Sequence, residues 1–272
     1  MTARRWVLAV PVLLVLTVAL AGPWVPAGSV TAPIGASFAP PTAEHPLGTD
    51  VLGRDVFARA LAGGRVLVAQ AVAATLLGSL VGLTVGVWAG VTHHRAVGRS
   101  LMRVVDGLAA LPALLLLMLL ATGMPGNDVA VAAGIAIVSA PFSVRVLHES
   151  AARLAATDYA RHAEARGEGL LTRTRSDILP GLVPVALAEA GIRFVAATQL
   201  AATAGFLGLG AGAPVANWGR MVRENSTGAA MNPLPVIVPA ALLVVLAVSV
   251  TVLIDRTSVS TRLAPERIER AA

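Results

Sequence analysis

The sequence contains no cysteine and no lysine. Without cysteine there is no disulfide framework, no thiolate nucleophile and no thiolate metal ligand. A phosphate-binding loop places a lysine on ATP, so a chain without lysine has no site of that kind for hydrolysing ATP itself. Charge is scarce too: Asp, Glu and Arg make up 13% of 272 residues, against 56% hydrophobic, and the mean hydropathy is +0.76. Soluble domains do not have such values; they describe a chain that crosses a membrane several times. A net charge of +6 would suit a nucleic-acid partner. The 21 basic residues instead gather at the ends of apolar runs, as topology signals do, so no nucleic-acid partner is expected.

The apolar runs predict an all-α membrane protein with six transmembrane helices. The first follows Arg4 and Arg5, covers Trp6 to Ala21 and extends within residues 1–26. Its alternative is a cleavable leader ending at Ala19-Leu20-Ala21. Residues 27–64 form a polar extracytoplasmic segment. The later spans are predicted at 66–91, 101–121, 129–146, 181–207 and 236–254, and residues 255–272 are a basic cytoplasmic tail. Gly78, Gly82, Gly86 and Gly90 recur at every fourth position of the second span, a pattern that lets another helix approach closely. Both termini and the segments 93–103 and 144–180 are predicted to be cytoplasmic, because they hold fifteen arginines against five on the other side.

A few polar residues interrupt the apolar runs. Asp106 is expected to reach out to water, to pair with Arg103 or to stand at the cytoplasmic mouth of a pore. Glu189 and Arg193 are spaced i, i+4 and meet on a helix. Each alone would cost about 2.5–3.5 kcal/mol at mid-membrane, so a pair facing protein is expected, either structural or lining a pore. His45, Asp50 and Asp55 match no metal-ligand spacing, and no metal is expected. Asp55 is read as a partner of Arg54 or Arg59, and Thr49-Asp50 as the cap of a helix running to Gly63-Gly64. His93 and His94 are adjacent and cannot share a helix face. His148-Glu149 lacks a second histidine at position 152, so no zinc-protease motif is present.

The polar stretch from Asp158 to Pro180 lies between two spans. Thr157-Asp158 suits a helix start, with Tyr159, Ala163 and Leu170 near one face. Gly167 suits its stop, or a site of close backbone approach. Ile178-Leu179-Pro180 is expected to turn the chain into the next span.

Three motifs carry a family resemblance. Gly167, followed thirteen residues later by Pro180 within Ile178-Leu179-Pro180, resembles the cytoplasmic signature loop of ABC-importer permeases. Where that family has Glu-Ala-Ala, this chain has Arg161-His162-Ala163 and keeps the last residue. His45, Pro46, Leu47, Gly48, Thr49 and Asp50, then Gly53, Arg54 and Asp55, are similar to the segment before the second helix in the dipeptide, oligopeptide and nickel class, second-permease type. Phe206, Leu207, Gly208, Leu209 and Gly210, with Trp218, Gly219 and Met221, resemble a third motif of the family. Together they cover roughly residues 45 to 254 in the family's order.

The resemblance implies a type I ABC-importer transmembrane fold. It also implies a permease core at 65–254 and a coupling helix at 158–170, where Asp158, Tyr159, Arg161, Ala163, Gly167, Ile178, Leu179 and Pro180 serve docking to an ATPase. Implied partners are a second permease subunit as a heterodimer, two cytoplasmic ATPase subunits, an extracytoplasmic binding protein and membrane lipid. No cofactor is implied for this chain, ATP being bound by the partners. The location is a bacterial inner membrane, and the cargo a peptide or a small solute such as nickel. Two alternatives are weaker. A stand-alone secondary transporter usually shows internal repeats and several buried ionisable groups. An intramembrane enzyme needs a nucleophile or metal set that this chain lacks.

Overall fold

The computed structural model describes residues 2–25, 29–92, 94–212 and 214–269; the side chains of 2–9, 95, 161, 164 and 255–269 fall outside that description. His93, the side chain of Arg161 and the side chains of the basic tail, all named above, therefore lie outside the described residues.

The secondary structure is helical, with only two isolated backbone bridges among the described residues. In order, α1 is Thr2–Ala21, α2 Val56–Ala62, α3 Gly64–Val81 and α4 Val87–Val91. Then come α5 (Arg95–Ala109), α6 (Ala113–Thr122), α7 (Asp128–Ala155) and α8 (Asp158–Ala165). The last four are α9 (Leu170–Arg173), α10 (Leu179–Leu207), α11 (Trp218–Asn225) and α12 (Leu234–Glu269).

Among the described residues, four helices are long and apolar enough to span a membrane: Val56–Val91, Asp128–Ala155, Leu170–Leu207 and Leu234–Ile254. A fifth candidate is the pair Ala96–Ala109 and Ala113–Thr122, bent by 82°. The expectation of six spans is thus corrected in one place. The third is broken at Ala110–Pro112, where proline cannot continue the hydrogen-bond ladder. Of the first span, helix α1 covers Thr2–Ala21, and the part whose side chains are described, Val10–Trp24, is apolar.

Two junctions between expected elements are continuous helix. Helices α2 to α4 run on through Gly63 and a wider π-turn at Gly82–Gly86. Helices α9 and α10 run on through a second π-turn at Thr174–Ile178. Ile178-Leu179-Pro180 therefore does not turn the chain. The wider turn absorbs Pro180, whose missing N–H would otherwise leave a gap in the ladder.

The contacts divide the chain into two compact units. One comprises residues 1–71, 118–132 and 198–272, the other 72–117 and 133–197. In the first, α1 and α11 both pack on α12. The second is built on the glycine stripe. A Cβ at Gly82 would stand 2.8 Å from the Ser143 side chain, and one at Gly86 2.7 Å from the Val144 carbonyl. A Cβ at Gly90 would stand 2.7 Å from the His148 carbonyl. At Gly78 the gap is an ordinary 3.8 Å. Three of the four glycines therefore let α7 come against backbone, as the spacing predicted.

Candidate functional site

In the second unit, α8 is a helix of eight residues. It is shorter than the expected 158–170, and its end has a local cause. Gly167 has φ +81°, and Glu168 donates its N–H to the Ala163 carbonyl at 3.2 Å, the 6→1 closure of a Schellman stop. A Cβ at Gly167 would meet nothing within 4 Å, so the backbone angle, not crowding, requires glycine. Arg166 donates to Glu168 just beyond, a bond that raises its pKa above the ordinary arginine value. Thr157 does not cap α8: its hydroxyl donates to the Leu154 carbonyl and closes α7.

The expected single face of α8 splits. Ala160 and Ala163 are buried at 1% and 0% exposure, whereas Tyr159, the chain's one tyrosine, is 65% exposed. Asp158 lies in the first turn, where a carboxylate favours the helix dipole. Ile178 is fully buried in a cluster with Val87 and Val91 of α4, Leu147 and Ala151 of α7, and Leu182 of α10; Leu179 packs against its edge. The base of the polar loop is thus seated on three helices at once.

Further along the same two long helices lies the ion pair. Arg193 Nε is 2.8 Å from Glu189 Oε1, both residues being on α10 as predicted. Ser143 of α7 donates to the same oxygen at 3.2 Å. Glu189 is 5% exposed. The Arg193 guanidinium lies 5.3 Å from the Phe142 ring centroid, within cation–π range. Sequence reasoning missed Ser143 and Phe142. A serine near Pro141 in an otherwise apolar run was the only available sign. Asp106 is not paired with Arg103 but with Arg145 of α7, at 3.2 Å, both half-exposed.

In the first unit, the two other motifs meet each other. Asp50 does not cap a helix. Its Oδ1 accepts from the N–H groups of Leu52 and Arg54, each at 2.9 Å, closing a turn. Its Oδ2 lies 2.7 Å from Arg54 Nε and 3.2 Å from Arg59 Nε. Glu224 Oε2 completes the set, 3.2 Å from Arg54 and 3.3 Å from Arg59. Asp50, Arg54 and Arg59 are all at most 3% exposed.

Asp55, expected on Arg54 or Arg59, is instead the cap of α2: it accepts from Phe57 and Ala58. Its other oxygen is 2.9 Å from His45 Nδ1. The helix starts later than predicted because the Asp50 turn takes up the intervening chain. His45, Asp50 and Asp55 are thus each engaged by protein partners.

The remaining motif positions hold this cluster in place. Trp218 is fully buried and donates its indole N–H to the Ala60 carbonyl at 2.7 Å. Asn217 caps α11 by accepting from Gly219 and Arg220. A Cβ at Gly219 would run into the Ala202 carbonyl of α10. Val51 N–H donates to Asn225 Oδ1 at 2.9 Å, and Asn232 donates to the Ala39 and Leu47 carbonyls. Pro46 and Gly48 belong to the same folded segment, Gly48 with φ +67° and Gly53 with φ +72°. Thr49 donates its hydroxyl to the Ala36 carbonyl.

Gly208 and Gly210 also have positive φ, +84° and +81°. A Cβ at Gly208 would press on the Arg223 guanidinium, and one at Gly210 on the Asp128 carboxylate. Asp128 accepts from Ala211 at 3.0 Å and Gln70 at 3.2 Å. Phe206 is exposed. Burial lowers the Arg220 pKa from the ordinary value, with Glu224 opposing the shift. Arg220 donates to the carbonyls of Val215 and Ala211.

Residues 82–261 match the family described as binding-protein-dependent transport system inner membrane component. The chain is 32% identical over 215 residues to the probable D,D-dipeptide transport system permease protein DdpC of Escherichia coli K12, covering 79% of this chain and 72% of that one. It is 33% identical over 213 residues to the glutathione transport system permease protein GsiD of Pectobacterium atrosepticum, covering 78% and 69%. In fold it is similar to a chain of the MetNI methionine ABC transporter solved in an inward-facing conformation. The TM-score is 0.59 at 20% identity, covering 72% of this chain and 92% of that one.

Proposed function

The chain belongs to the binding-protein-dependent transport system inner membrane component family, and on that premise we propose that it is one of two unlike permease subunits of a peptide importer. It is a multi-pass inner-membrane permease of an ABC importer. Such a permease works with ATP-hydrolysing subunits and a substrate-binding protein. The assignment of peptide cargo rests on relatives named for D,D-dipeptide and glutathione, itself a tripeptide. In this reading both termini and the 156–169 segment are cytoplasmic, the 29–55 segment faces the binding protein, and two ATPases bind from inside.

One observation carries the reading: α8 is a short, stopped helix with an alanine back and an exposed Tyr159. Eight residues cannot hold a helix alone in water, so α8 relies on packing. Its own buried side is small, which leaves Tyr159 to a partner. Movement of α8 passes through Ile178 to the α4, α7 and α10 cluster. The same α7 and α10 carry Ser143 and Glu189, so sliding one past the other alters the polar contact between them. We assign that contact, with Arg193, to the wall of the cargo path.

The test is ATP-dependent uptake of a labelled dipeptide by proteoliposomes holding the whole complex, fed by its binding protein. Tyr159→Ala should lower ATPase copurification and uptake about tenfold, the usual effect of truncating an aromatic anchor, at unchanged membrane abundance. Normal uptake by that variant would overturn the docking role.

A further inference from the structure

The second unit also holds a cavity of ≈ 860 Å³ that neither the coupling helix nor the Glu189–Arg193 pair uses. Its walls come from α4, α5, α7 and α9. Arg99, Met102 and Arg103 line it from α5, His148 from α7 and Arg173 from α9. One carboxylate, Asp106, also lines it, and that acid already stands 3.2 Å from Arg145. Three arginines and a histidine thus line it against one carboxylate. Arg173 is 4% exposed, so its guanidinium acts in surroundings of low dielectric, where attraction to an anion is strengthened. His148 Nδ1 is buried and has no hydrogen-bond partner among the described residues.

A second feature indicates where the anion comes from. Helix α5 has two opposed stripes. Val97, Leu101, Val104 and Leu108 recur at helical spacing, and Val97, Val104 and Leu108 are 51%, 61% and 44% exposed. Arg99, Arg103 and Asp106 fall on the other side, toward the cavity. The helix is also bent by 82° from the apolar helix that follows it. An amphipathic, arginine-bearing helix lying across the direction of a span has the form of one that rests in the headgroup layer. Basic pockets between helices at that depth on the cytoplasmic side suit anionic lipid headgroups. Guanidinium groups match phosphate in shape and charge.

We propose that this cavity binds the phosphate of an anionic phospholipid of the cytoplasmic leaflet. The proposal rests on the reading above that the 93–103 and 156–169 segments are cytoplasmic. Arg99 and Arg103 form the mouth, since both are exposed, and Arg173 with His148 forms the floor. The exposed stripe of α5 is placed to lie along the acyl chains.

The experiment uses the purified full chain in detergent, titrated with phosphatidylglycerol or phosphatidylcholine and read by native mass spectrometry. One phosphatidylglycerol should be retained per chain in preference to phosphatidylcholine. Arg99→Gln combined with Arg103→Gln should weaken that retention about tenfold or more. Arg153→Gln removes an exposed arginine outside the cavity and should leave it unchanged. His148→Asn is a milder probe of the floor should the double variant misfold, and it should weaken retention as well.

Equal retention by a folded cavity variant and the wild type overturns the proposal. Displacement of the lipid by inorganic phosphate, with phosphate binding alone to the wild type and not to the double variant, would make it a free-phosphate site and overturn the lipid assignment. The topology is judged separately. A single cysteine at position 168 labelled from outside intact cells would refute the cytoplasmic reading, whereas the detergent titration is indifferent to sidedness.

Discussion

Arg54 Nε lies 2.7 Å from Asp50 Oδ2 across a tight turn, four residues apart but not on a helix, with the two residues 3% and 0% exposed. The same carboxylate holds Arg59, and Glu224 from a segment about 170 residues away closes the set. Two buried cations share two acids, so the cluster is neutral only as a whole.

Asp50→Asn should therefore cost more than a surface change. It leaves two buried guanidinium groups with Glu224 alone, and breaking such a set costs about 3–5 kcal/mol. Thermal denaturation of the purified protein should show a marked fall in Tm or loss of folded yield. Glu224→Gln, at a site 19% exposed, should cost less. An unchanged Tm in Asp50→Asn would mean that the cluster contributes nothing to stability.

Gly167 needs its positive φ and has open space around it. Gly167→Val forces a β-branched residue into a left-handed angle, a strain of about 1–2 kcal/mol on a helix of eight residues. The protein should insert normally, while uptake and ATPase copurification fall. Gly167→Asn, which tolerates that angle, should keep both. Equal behaviour of the two variants in the reconstituted complex would count against the role of this stop.

The Glu189–Arg193 pair permits a test by double mutation. Glu189→Gln alone leaves a half-buried cation unpaired and should lower membrane abundance and Tm. Adding Arg193→Gln should restore most of that loss, because neither charge then remains unpaired. If the pair serves only to neutralise itself, the double variant transports normally. If it lines the cargo path, as proposed, the double variant is stable and uptake falls.

The glycine stripe predicts a graded series. A Cβ at Gly78 meets its neighbour at an ordinary distance, so Gly78→Ala should be close to neutral. Gly86→Ala would place a methyl 2.7 Å from the Val144 carbonyl and force α7 away. Overpacking of this kind costs about 1–3 kcal/mol. Tm measured on the two variants should differ in that order, and a larger loss at Gly78 would contradict the packing described.

The chain's own pattern determined a good deal. Hydropathy marked the apolar segments, because burying backbone in lipid demands long apolar helices. The repeat from Gly78 to Gly90 predicted close helix contact, and i, i+4 spacing predicted Glu189 beside Arg193. Gly167 was legible as a stop because its requirement is a local backbone angle. What the tertiary structure alone decided involves partners distant in sequence or choices among nearby ones. Asp106 took Arg145 of another helix over Arg103 of its own. Asp55 capped α2 and bound His45, because Asp50 and Glu224 had neutralised Arg54 and Arg59. Ser143 of α7 reached Glu189 of α10, a partner 46 residues away. Local spacing states which groups can meet along one helix; desolvation selects among competing partners only when several segments are packed together, and that selection is a property of the fold.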